Sequence, residues 1–359
     1  MKAAILHAFG SPLTVERIPD PVPGTGEVVV DVAATRVLAY MGEVFSGARN
    51  YLLTLPVVPG PGAIGRVRSV GPDATRLSVG DWVYCDPTVR SRDDAAAPDI
   101  TLQGLSAGGE GGLRLQAYFR DGAWAERMRV PTENAVPIGP IEEGDAPAWT
   151  TIGTLLVPYG GLLAIDLRAG ETLLVNGATG NFGSAAVAVA LGMGAGRVVA
   201  TGRNEAALAD LVRRFGFRVR TVRMGGSEDE DRTAMQRAAD GPIDGVLDIL
   251  PPAAKPSWAR AAVMAVRPYG RVALMGGVGM QGGGGLDLPY AWLMRNCVTI
   301  RGQWMYPRDA ITRMVGLVRA GLVGLDQYDL TVFDLDHVDE AIAHAAAHAG
   351  PFQKTMIRP

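Results

Sequence analysis

Residues 173–184 read LLVNGATGNFGS, and this stretch decides the fold of the chain. An apolar run leads into three glycines at three-residue spacing, Gly177, Gly180 and Gly183, and an Ala- and Val-rich run follows. In a strand–turn–helix of this kind the first glycine permits a tight turn, the second lets a diphosphate approach the backbone, and the third lets helix and strand pack closely. The free N–H groups at the start of the helix attract the phosphates. The stretch therefore predicts a dinucleotide-binding turn.

The sequence around this turn alternates between β-branched runs and helical runs. The predicted strands are 172–176, 197–201, 218–222, 245–249 and 271–275, and the predicted helices begin at 181, at 204, after 227 and near 258. Such alternation indicates a parallel sheet that helices cover on both faces. Ser227 and Glu230 have the spacing of a capping box, which supports the helix after 227.

The residues before about 140 have a different pattern. Short β-branched runs at 27–32, 64–70 and 81–84 are separated by Gly and Pro, which indicates an all-β lobe. The charged, Gly-rich residues 88–123 are predicted to form a surface excursion between strands. A last stretch that contains residues 308–320, a strand near 330–333, a helix at 338–348 and a strand at 354–357 is predicted to return to this first lobe.

Length and composition suit a two-lobed globular protein. The chain has 359 residues, more than one hydrophobic core usually holds, and 48% are hydrophobic against 20% charged. The formal net charge of -3 offers no positive field for nucleic acid or for an anionic membrane surface. Cys85 and Cys297 are too few for a disulfide framework or a thiolate zinc cluster. Together with the lack of a signal-peptide pattern at the start, these features predict a cytoplasmic protein.

Residues 146–165 form an uncharged run about as long as the ~20 residues that a membrane span needs. Pro147, Pro158, three glycines and three threonines interrupt this run. A buried connecting helix is therefore expected here rather than a membrane span.

The end of the second predicted strand indicates which nicotinamide cofactor binds. An enzyme that uses NAD places Asp or Glu there to accept hydrogen bonds from the ribose, and this carboxylate repels a 2′-phosphate. This chain has Gly202 at that point and Arg203 beside it. A guanidinium favours the phosphate through charge-assisted hydrogen bonds, which predicts NADP(H). The alternative is that Arg203 is a solvated surface residue.

Short motifs in a shared order resemble those of the medium-chain dehydrogenase/reductase superfamily, especially its zinc-lacking quinone and enone reductase branch. Besides the glycine turn, they lie at residues 1–4, 26–30, 55–60, 65–67, 79–83, 122–126, 270–272, 300–302 and 352–354. The resemblance covers nearly the whole chain. It implies an α/β fold in which a GroES-like β-barrel catalytic domain (1–140 and 306–359) surrounds a Rossmann NADP(H)-binding domain (141–305) with a doubly wound parallel sheet. It also implies an active site in the cleft and a homodimer formed across the sheet edge near 298–302.

The chain departs from the zinc-dependent members of this superfamily at three places. Those members carry a Cys near 37–38, a Gly-His-Glu where this chain has Gly60-Pro61-Gly62, and a second Cys near 150–151, where this chain has threonines. A catalytic zinc needs about three protein ligands, and none of these positions supplies one. The four-Cys lobe for a structural zinc is missing too. His344 and His348 are four residues apart on a predicted helix, but they lack a third ligand nearby and are interpreted as an exposed helical face.

These departures predict the reaction. Without zinc, hydrogen-bond donors must polarise the carbonyl, and hydride addition is easiest where a conjugated alkene accepts it as an enolate. The prediction is a zinc-independent oxidoreductase that transfers a hydride from NADPH to a small quinone or enone. Zinc-lacking relatives often place a Tyr before the Leu-Pro-x-x-x-Gly segment, but Arg49 occupies that position here. The candidate oxyanion partners are Tyr51, Tyr40 and Arg49, in that order, against a surface or packing role for each.

Cofactor contacts are predicted at the carboxyl ends of the parallel strands, where ligands of such sheets bind. The resemblance adds backbone near Gln303 for the nicotinamide amide and Lys354 for a phosphate. The full predicted set is Thr154, Gly177, Thr179, Gly180, Asn181, Phe182, Gly183, Gly202, Arg203, Asn204, Ile249, Leu250, Gly276, Gly277, Val278, Gln303, Trp304 and Lys354.

Two other functions stay open. One is an alcohol dehydrogenase that holds zinc through unusual ligands. The other is a protein that binds NADPH as a sensor with little turnover, which the displaced tyrosine position leaves possible.

Overall fold

The computed structural model describes residues 1–282 and 284–359 and divides into two compact units. Unit 1 comprises Met1–Gly153, Leu325–Ala349 and Gln353–Pro359, and unit 2 comprises Thr154–Gly324 and Gly350–Phe352. Residues 308–320 therefore lie in unit 2, and the chain returns to unit 1 at Leu325. The predicted domain boundaries at 140/141 and 305/306 stay a prediction.

The first part of unit 1 consists mainly of short strands, as the sequence predicted. Its elements are β1 (Lys2–Ile5), β2 (Thr14–Arg17), β3 (Glu27–Val37), α1 (Met41–Phe45), β4 (Ala63–Val70), β5 (Trp82–Cys85), β6 (Thr88–Arg90), β7 (Ile100–Leu102), β8 (Ser106–Ala107), α2 (Gly109–Gln116), β9 (Arg127–Pro131), β10 (Ala135–Pro137) and α3 (Ala146–Trp149).

Unit 2 alternates strands and helices, which confirms the predicted pattern. Its elements are α4 (Ile152–Ala164), which begins two residues earlier, β11 (Thr172–Asn176), α5 (Asn181–Gly192), β12 (Arg197–Gly202), α6 (Glu205–Phe215), β13 (Val219–Arg223), α7 (Glu228–Ala239), β14 (Gly245–Asp248), α8 (Pro256–Met264), β15 (Arg271–Leu274), α9 (Tyr290–Arg295), β16 (Thr299–Gly302) and α10 (Ala310–Arg319).

The strands of unit 2 form one parallel sheet in the order β13-β12-β11-β14-β15-β16. This is the doubly wound Rossmann order, in which the strand order reverses between β11 and β14. In such sheets, ligands bind at the carboxyl ends of the strands at that reversal. The glycine turn after β11 lies at this place.

Apolar side chains fill both faces of this sheet. Leu174 of β11, Val199 of β12 and Val246 of β14 are fully buried in one core cluster. Helix α5 buries nine consecutive residues from Gly183 to Leu191, because it packs on the sheet and is itself covered. In so apolar a setting, polar side chains at the ends of the strands are exceptions that need hydrogen-bond partners.

The last part of unit 1 contains β17 (Asp329–Asp334), α11 (Val338–Ala347) and β18 (Gln353–Arg358). The main sheet of this unit has the order β10-β5-β4-β3-β18-β17, with β9 also paired to β3. Strand β18 runs antiparallel to the end of β3, and Met356 lies opposite Arg36. Strand β3 thus joins the early and late parts of unit 1.

Residues 88–123 are not the surface excursion that the sequence predicted. They contain a three-stranded antiparallel sheet, β6-β7-β8, and the helix α2. Val89, Leu102 and Leu105 in this stretch are buried. The many glycines and charges of this stretch suggested a loop. Its overall composition is polar, and the few apolar residues that the fold buries together are spread too widely along the chain to form a recognisable pattern.

The predicted capping box at Ser227 is wrong, although α7 is present. The Ser227 side chain makes no capping hydrogen bond. Instead, the Asp231 carboxylate accepts hydrogen bonds from the backbone N–H groups of Gly225 at 2.7 Å and Gly226 at 3.1 Å. An ionised carboxylate is the stronger acceptor, so it determines how the chain enters this helix.

The uncharged run 146–165 contains α3 and α4, and Leu155, Leu156 and Leu162 of α4 are fully buried. The predicted buried helix is therefore confirmed. Within the described residues, no helix combines the length and the apolar character that crossing a membrane requires.

Candidate functional site

The glycine turn of unit 2 gives each glycine a separate role. Gly177 has a φ of +94°, a left-handed conformation that favours glycine. A Cβ at Gly183 would lie 2.0 Å from the carbonyl oxygen of Gly177, so only glycine lets α5 pack this closely on the turn. A Cβ at Gly180 would meet only that same oxygen, at 3.5 Å. The bare backbone at Gly180, directly before α5, therefore fits the approach of a diphosphate.

Gly202 at the end of β12 lies against this turn. A Cβ there would come within 2.3 Å of the Thr179 side chain, so a residue with a side chain would displace Thr179. The structure thus brings the predicted phosphate turn and the predicted ribose position together. The next residue but one, Asn204, begins α6 and accepts a hydrogen bond from the Ala207 N–H at 3.1 Å.

Arg203 lies beside an aromatic ring that the sequence did not single out. Its guanidinium carbon is 5.1 Å from the centroid of the Trp258 ring, and the Lys255 Nζ is 5.9 Å from the same centroid. Two cations therefore lie near one indole close to the end of β12. Sequence reasoning missed Lys255 and Trp258; their position just after the fourth strand was the available signal.

A polar network joins the carboxyl ends of three neighbouring strands. The Thr201 hydroxyl donates to Asn176 Oδ1 at 2.8 Å, and Asn176 Nδ2 donates to Asp248 Oδ1 at 2.7 Å. Asn176 Nδ2 also lies 3.2 Å from the Trp258 carbonyl oxygen. Burial raises the pKa of Asp248 to about 6, while hydrogen bonds from Asn176 and from the Leu250 N–H oppose the rise. Sequence reasoning did not select Asn176, Thr201 or Asp248 as site residues.

The other predicted cofactor residues of unit 2 surround this network. The Ile249 N–H donates to the Asn176 carbonyl at 3.0 Å, and a Cβ at Gly276 would lie 2.9 Å from Asp248 Oδ2. Leu250 belongs to a small buried cluster against which Val278 packs, and a Cβ at Gly277 would crowd Pro252. Asn181 and Phe182 begin α5.

Three predicted cofactor-binding residues of unit 2 do not contact the polar network around Asn176 in the hydrogen bonds described above. Gln303 follows β16, and its Nε2 donates to the carbonyls of Trp304 and Met305, each at 3.3 Å. Trp304 is half-exposed. Thr154 is buried in the first turn of α4.

The three candidate catalytic residues come together in unit 1. The Tyr40 and Tyr51 rings meet edge to face with 6.3 Å between centroids. The Arg49 guanidinium carbon is 4.0 Å from the Tyr40 centroid and 5.4 Å from that of Tyr51, and Arg49 Nη1 donates to Glu43 at 2.7 Å. Burial raises the pKa of Tyr40, and Tyr51 adds to the rise, so Tyr40 remains a protonated donor at neutral pH.

Lys354 lies on β18 in unit 1 and is 7% exposed. Its Nζ is 4.9 Å from the centroid of the Tyr328 ring. Burial, and then the charge of Arg36, lower the pKa of Lys354 well below its usual range. Its role as a phosphate ligand stays a prediction.

Comparison with known families agrees with this architecture. Residues 24–140 match the model for the alcohol dehydrogenase GroES-like domain, and residues 182–320 match the model for the zinc-binding dehydrogenase family. The two matches follow each other along one chain whose second unit has the Rossmann order. The chain belongs to the medium-chain dehydrogenase/reductase superfamily.

Two relatives of this superfamily member match at similar identity. An alcohol dehydrogenase of Rhizobium meliloti is 30% identical over 194 residues, which cover 54% of this chain and 55% of the relative. An acryloyl-coenzyme A reductase of Metallosphaera sedula is 30% identical over 228 residues, which cover 61% of this chain and 63% of the relative. The matched segments thus span less than two thirds of either relative.

Solved structures share the fold over the whole length. A candidate zinc-binding dehydrogenase of Sinorhizobium meliloti 1021 covers 100% of this chain and 99% of its own, with a TM-score of 0.79 and 19% identity. Likeness at this identity shows the GroES-like and Rossmann folds alone.

One of the matching family descriptions names zinc, but the residues that this chain has at the expected ligand positions do not suit a zinc ion. Val37 and Leu38 are buried apolar residues, and the Thr150 hydroxyl donates to the Pro147 carbonyl at 2.7 Å. Across residues 1–282 and 284–359, no three His, Cys, Asp or Glu side chains converge where they could hold a metal ion. His344 and His348 stack with 4.0 Å between ring centroids, and Nδ1 of His348 donates to the His344 carbonyl.

Two glycine substitutions in the turn can distinguish a role in ligand binding, expected for Gly180, from a role in helix packing, expected for Gly183. Gly180→Ala is expected to fold normally, because its Cβ meets no close protein atom, but to weaken dinucleotide binding at least about tenfold, or ~1.4 kcal/mol. Gly183→Ala is the matched control and is expected to lower the melting temperature through its contact with the Gly177 carbonyl. Calorimetric titration and thermal melting measure both. Unchanged binding by Gly180→Ala contradicts the assigned turn.

Asp248 is expected to make stability depend on pH. Its pKa rises from 3.8 to about 6 on folding, so the folded state favours the protonated form. The free energy of unfolding therefore falls as pH rises from about 4 to about 6, by up to ~3 kcal/mol in total. Asp248→Asn retains an acceptor for Asn176 and should lose this dependence, whereas Asp287→Asn, at an exposed site, should keep it. Urea unfolding between pH 4 and pH 8 measures the difference, and parallel curves for wild type and Asp248→Asn contradict the expectation.

Proposed function

We propose that the chain is an oxidoreductase that binds NADP(H) in unit 2 and reduces a small conjugated carbonyl compound, a quinone or an enone, without a metal ion. The observation that carries the proposal is the bare backbone of Gly180 at the start of α5, at the strand reversal of a Rossmann sheet. The N–H groups of that helix start attract a diphosphate. The bound reduced cofactor supplies a hydride.

The preference for NADP(H) rests on this chain's own residues. The Sinorhizobium neighbour was solved with NADP, and a neighbour from Escherichia coli CFT073 was solved with NADH, so the neighbours support a nicotinamide cofactor of either kind. At the end of β12, Gly202 takes the place of a carboxylate, and the positive charges of Arg203 and Lys255 both lie near the Trp258 ring. A 2′-phosphate is attracted by such a pair of cations and meets no repelling acid at position 202.

The phenols and the guanidinium in unit 1 support a conjugated carbonyl as substrate. Tyr40 stays protonated because of its raised pKa, and Arg49 adds a permanent positive charge beside it. Such donors stabilise the negative oxygen that forms when a hydride adds to a conjugated alkene. The Metallosphaera relative is named for acryloyl-coenzyme A, an unsaturated thioester, which supports an acceptor of this class.

The homodimer and the cytoplasmic location stay predictions. Strand β16 supports the former, because it is an edge strand of the sheet with mostly exposed residues. An unprotected edge of this kind favours pairing with a second copy.

The cofactor preference can be tested by substituting Arg203. Wild type should bind NADPH more tightly than NADH, and Arg203→Ala should lose about tenfold of NADPH affinity with little change for NADH, since a charge-assisted bond contributes ~1.5–3 kcal/mol. Arg213→Ala removes an exposed arginine of α6 and is the matched control. Fluorescence titration with both nucleotides measures the four affinities. Equal affinity of wild type for the two contradicts NADP(H) preference.

The reaction can be tested by following NADPH oxidation with cyclohexenone, 1,4-benzoquinone and acryloyl-coenzyme A. Turnover by wild type is expected, with Tyr51→Phe lowering kcat by about tenfold or more, because one donor to the oxyanion is lost. Tyr118→Phe is the control, because Tyr118 is exposed and is far from Tyr51 in the sequence. Binding of NADPH with no turnover favours a sensor, and stoichiometric zinc in the purified protein favours an alcohol dehydrogenase; either result contradicts the proposal.

A further inference from the structure

Unit 1 contains two basic side chains in its interior. Arg36, on β3, is 6% exposed, and Lys354, on β18, is 7% exposed. Met356 lies opposite Arg36 in the ladder, so Lys354, two residues earlier on the same strand, lies on the same face as Arg36. Removing two like charges from water is costly, and folds keep such groups where their charge is used.

The surroundings of Arg36 hold its guanidinium in one place. Its Nε donates to the Pro61 carbonyl at 3.2 Å, and its own carbonyl accepts a hydrogen bond from Trp124 Nε1 at 3.3 Å. A Cβ at Gly153 would lie 2.8 Å from the guanidinium carbon and 2.9 Å from the Tyr84 hydroxyl oxygen. Gly153 thus allows a guanidinium and a phenol to lie together against bare backbone.

Arg36 is also coupled to the candidate catalytic residues. Burial dominates the raised pKa of Tyr40, but the charges of Arg36 and Arg49 both act on this phenol in the opposite direction. Tyr40 therefore lies within the electrostatic reach of two guanidiniums. Of the two, Arg49 is partly exposed and bonded to Glu43, whereas Arg36 is buried. A charge in a desolvated setting acts more strongly on a neighbouring oxygen than a charge in water.

Arg36 lies beside the three segments at which the chain departs from the zinc-dependent members that its motifs resemble. It is next to residues 37–38, bonds to Pro61 and lies against Gly153, two residues after Thr151. At these segments the chain has a guanidinium in place of the metal ligands.

We propose that the Arg36 guanidinium supplies the positive charge that stabilises the substrate oxygen during reduction, and that it is the principal oxyanion-binding residue of unit 1. The inference rests on the proposed function. In that reaction the acceptor gains a hydride at its β-carbon from the reduced cofactor and a proton at its α-carbon from a phenol or water. The hydride brings its electron pair to the β-carbon, the alkene pair forms a double bond between the α-carbon and the carbonyl carbon, and the carbonyl pair becomes negative charge on the oxygen beside Arg36. Protonation of the α-carbon then restores the carbonyl, so the alkene is reduced and the cofactor oxidised.

Binding of an oxyanion tests the inference without turnover. The probe is 4-nitrophenol, whose phenolate is coloured and presents a negatively charged phenolate oxygen, added to the full chain saturated with NADP⁺. Wild type should bind the phenolate in preference to the phenol, and Arg36→Met should lose about tenfold or more of phenolate affinity, since a hydrogen bond to a charged group contributes ~1.5–3 kcal/mol. Arg66→Met removes an exposed arginine that stacks on Trp82 and is the matched control. A wild type without preference for the phenolate overturns the inference even if no variant folds.

Kinetics gives a second, independent readout. Arg36→Met should lower kcat for the best acceptor by about 10²–10³-fold, as loss of an oxyanion donor does elsewhere, with NADPH affinity and melting temperature near those of Arg66→Met. Arg36→Lys keeps a positive charge but loses the planar guanidinium, so its kcat should lie between those of the wild type and Arg36→Met. In Arg36→Ala, added guanidinium chloride at millimolar concentration should restore part of the activity, and it should not affect Arg66→Met.

The possible results are distinguishable. An active wild type with an equally active Arg36→Met overturns the inference and leaves the proposed function in place. A wild type that oxidises NADPH with none of the acceptors contradicts the proposed function, and the phenolate titration then decides on Arg36 alone.

Discussion

The close approach of α5 to the turn after β11 is the contact on which unit 2 depends. Because Gly183 has no side chain, the start of the helix rests against the Gly177 carbonyl, where any Cβ would lie 2.0 Å from that oxygen. This contact directs the start of α5 at the strand reversal, where sheets of this order leave a crevice. The position of Thr179 against Gly202 follows from the same contact.

Next to this turn, three strands of the sheet end in polar residues instead of apolar ones. Thr201, Asn176 and Asp248 replace apolar side chains there and satisfy one another in sequence. Burial raises the pKa of the Asp248 carboxyl to about 6, and hydrogen bonds from Asn176 and from the Leu250 N–H oppose the rise. The network therefore joins the ends of β11, β12 and β14 through satisfied polar groups.

Unit 1 concentrates positive charge and phenols where relatives with a catalytic metal would place its ligands. Arg36 and Lys354 are buried, and Arg49 stacks on Tyr40 at the margin of the same cluster. A metal ion and a guanidinium both stabilise negative oxygen, but the guanidinium also offers donors of fixed direction and needs no ligand set. In the proposed reaction, the Arg36 guanidinium takes the part that a metal ion would otherwise play.

The sequence by itself determined the strand–helix alternation, the glycine turn and the β-rich first lobe, because each depends on local periodicity and on glycine spacing. It also named Tyr40, Arg49 and Tyr51, which the fold brings into one cluster. Only the tertiary structure decided which distant residues meet. Asp248 reaches Asn176 because β14 lies beside β11, and Arg36 meets Lys354 because β18 pairs with β3. Such pairs are far apart along the chain, so no local pattern predicts them, and the same holds for the buried apolar residues of 88–123.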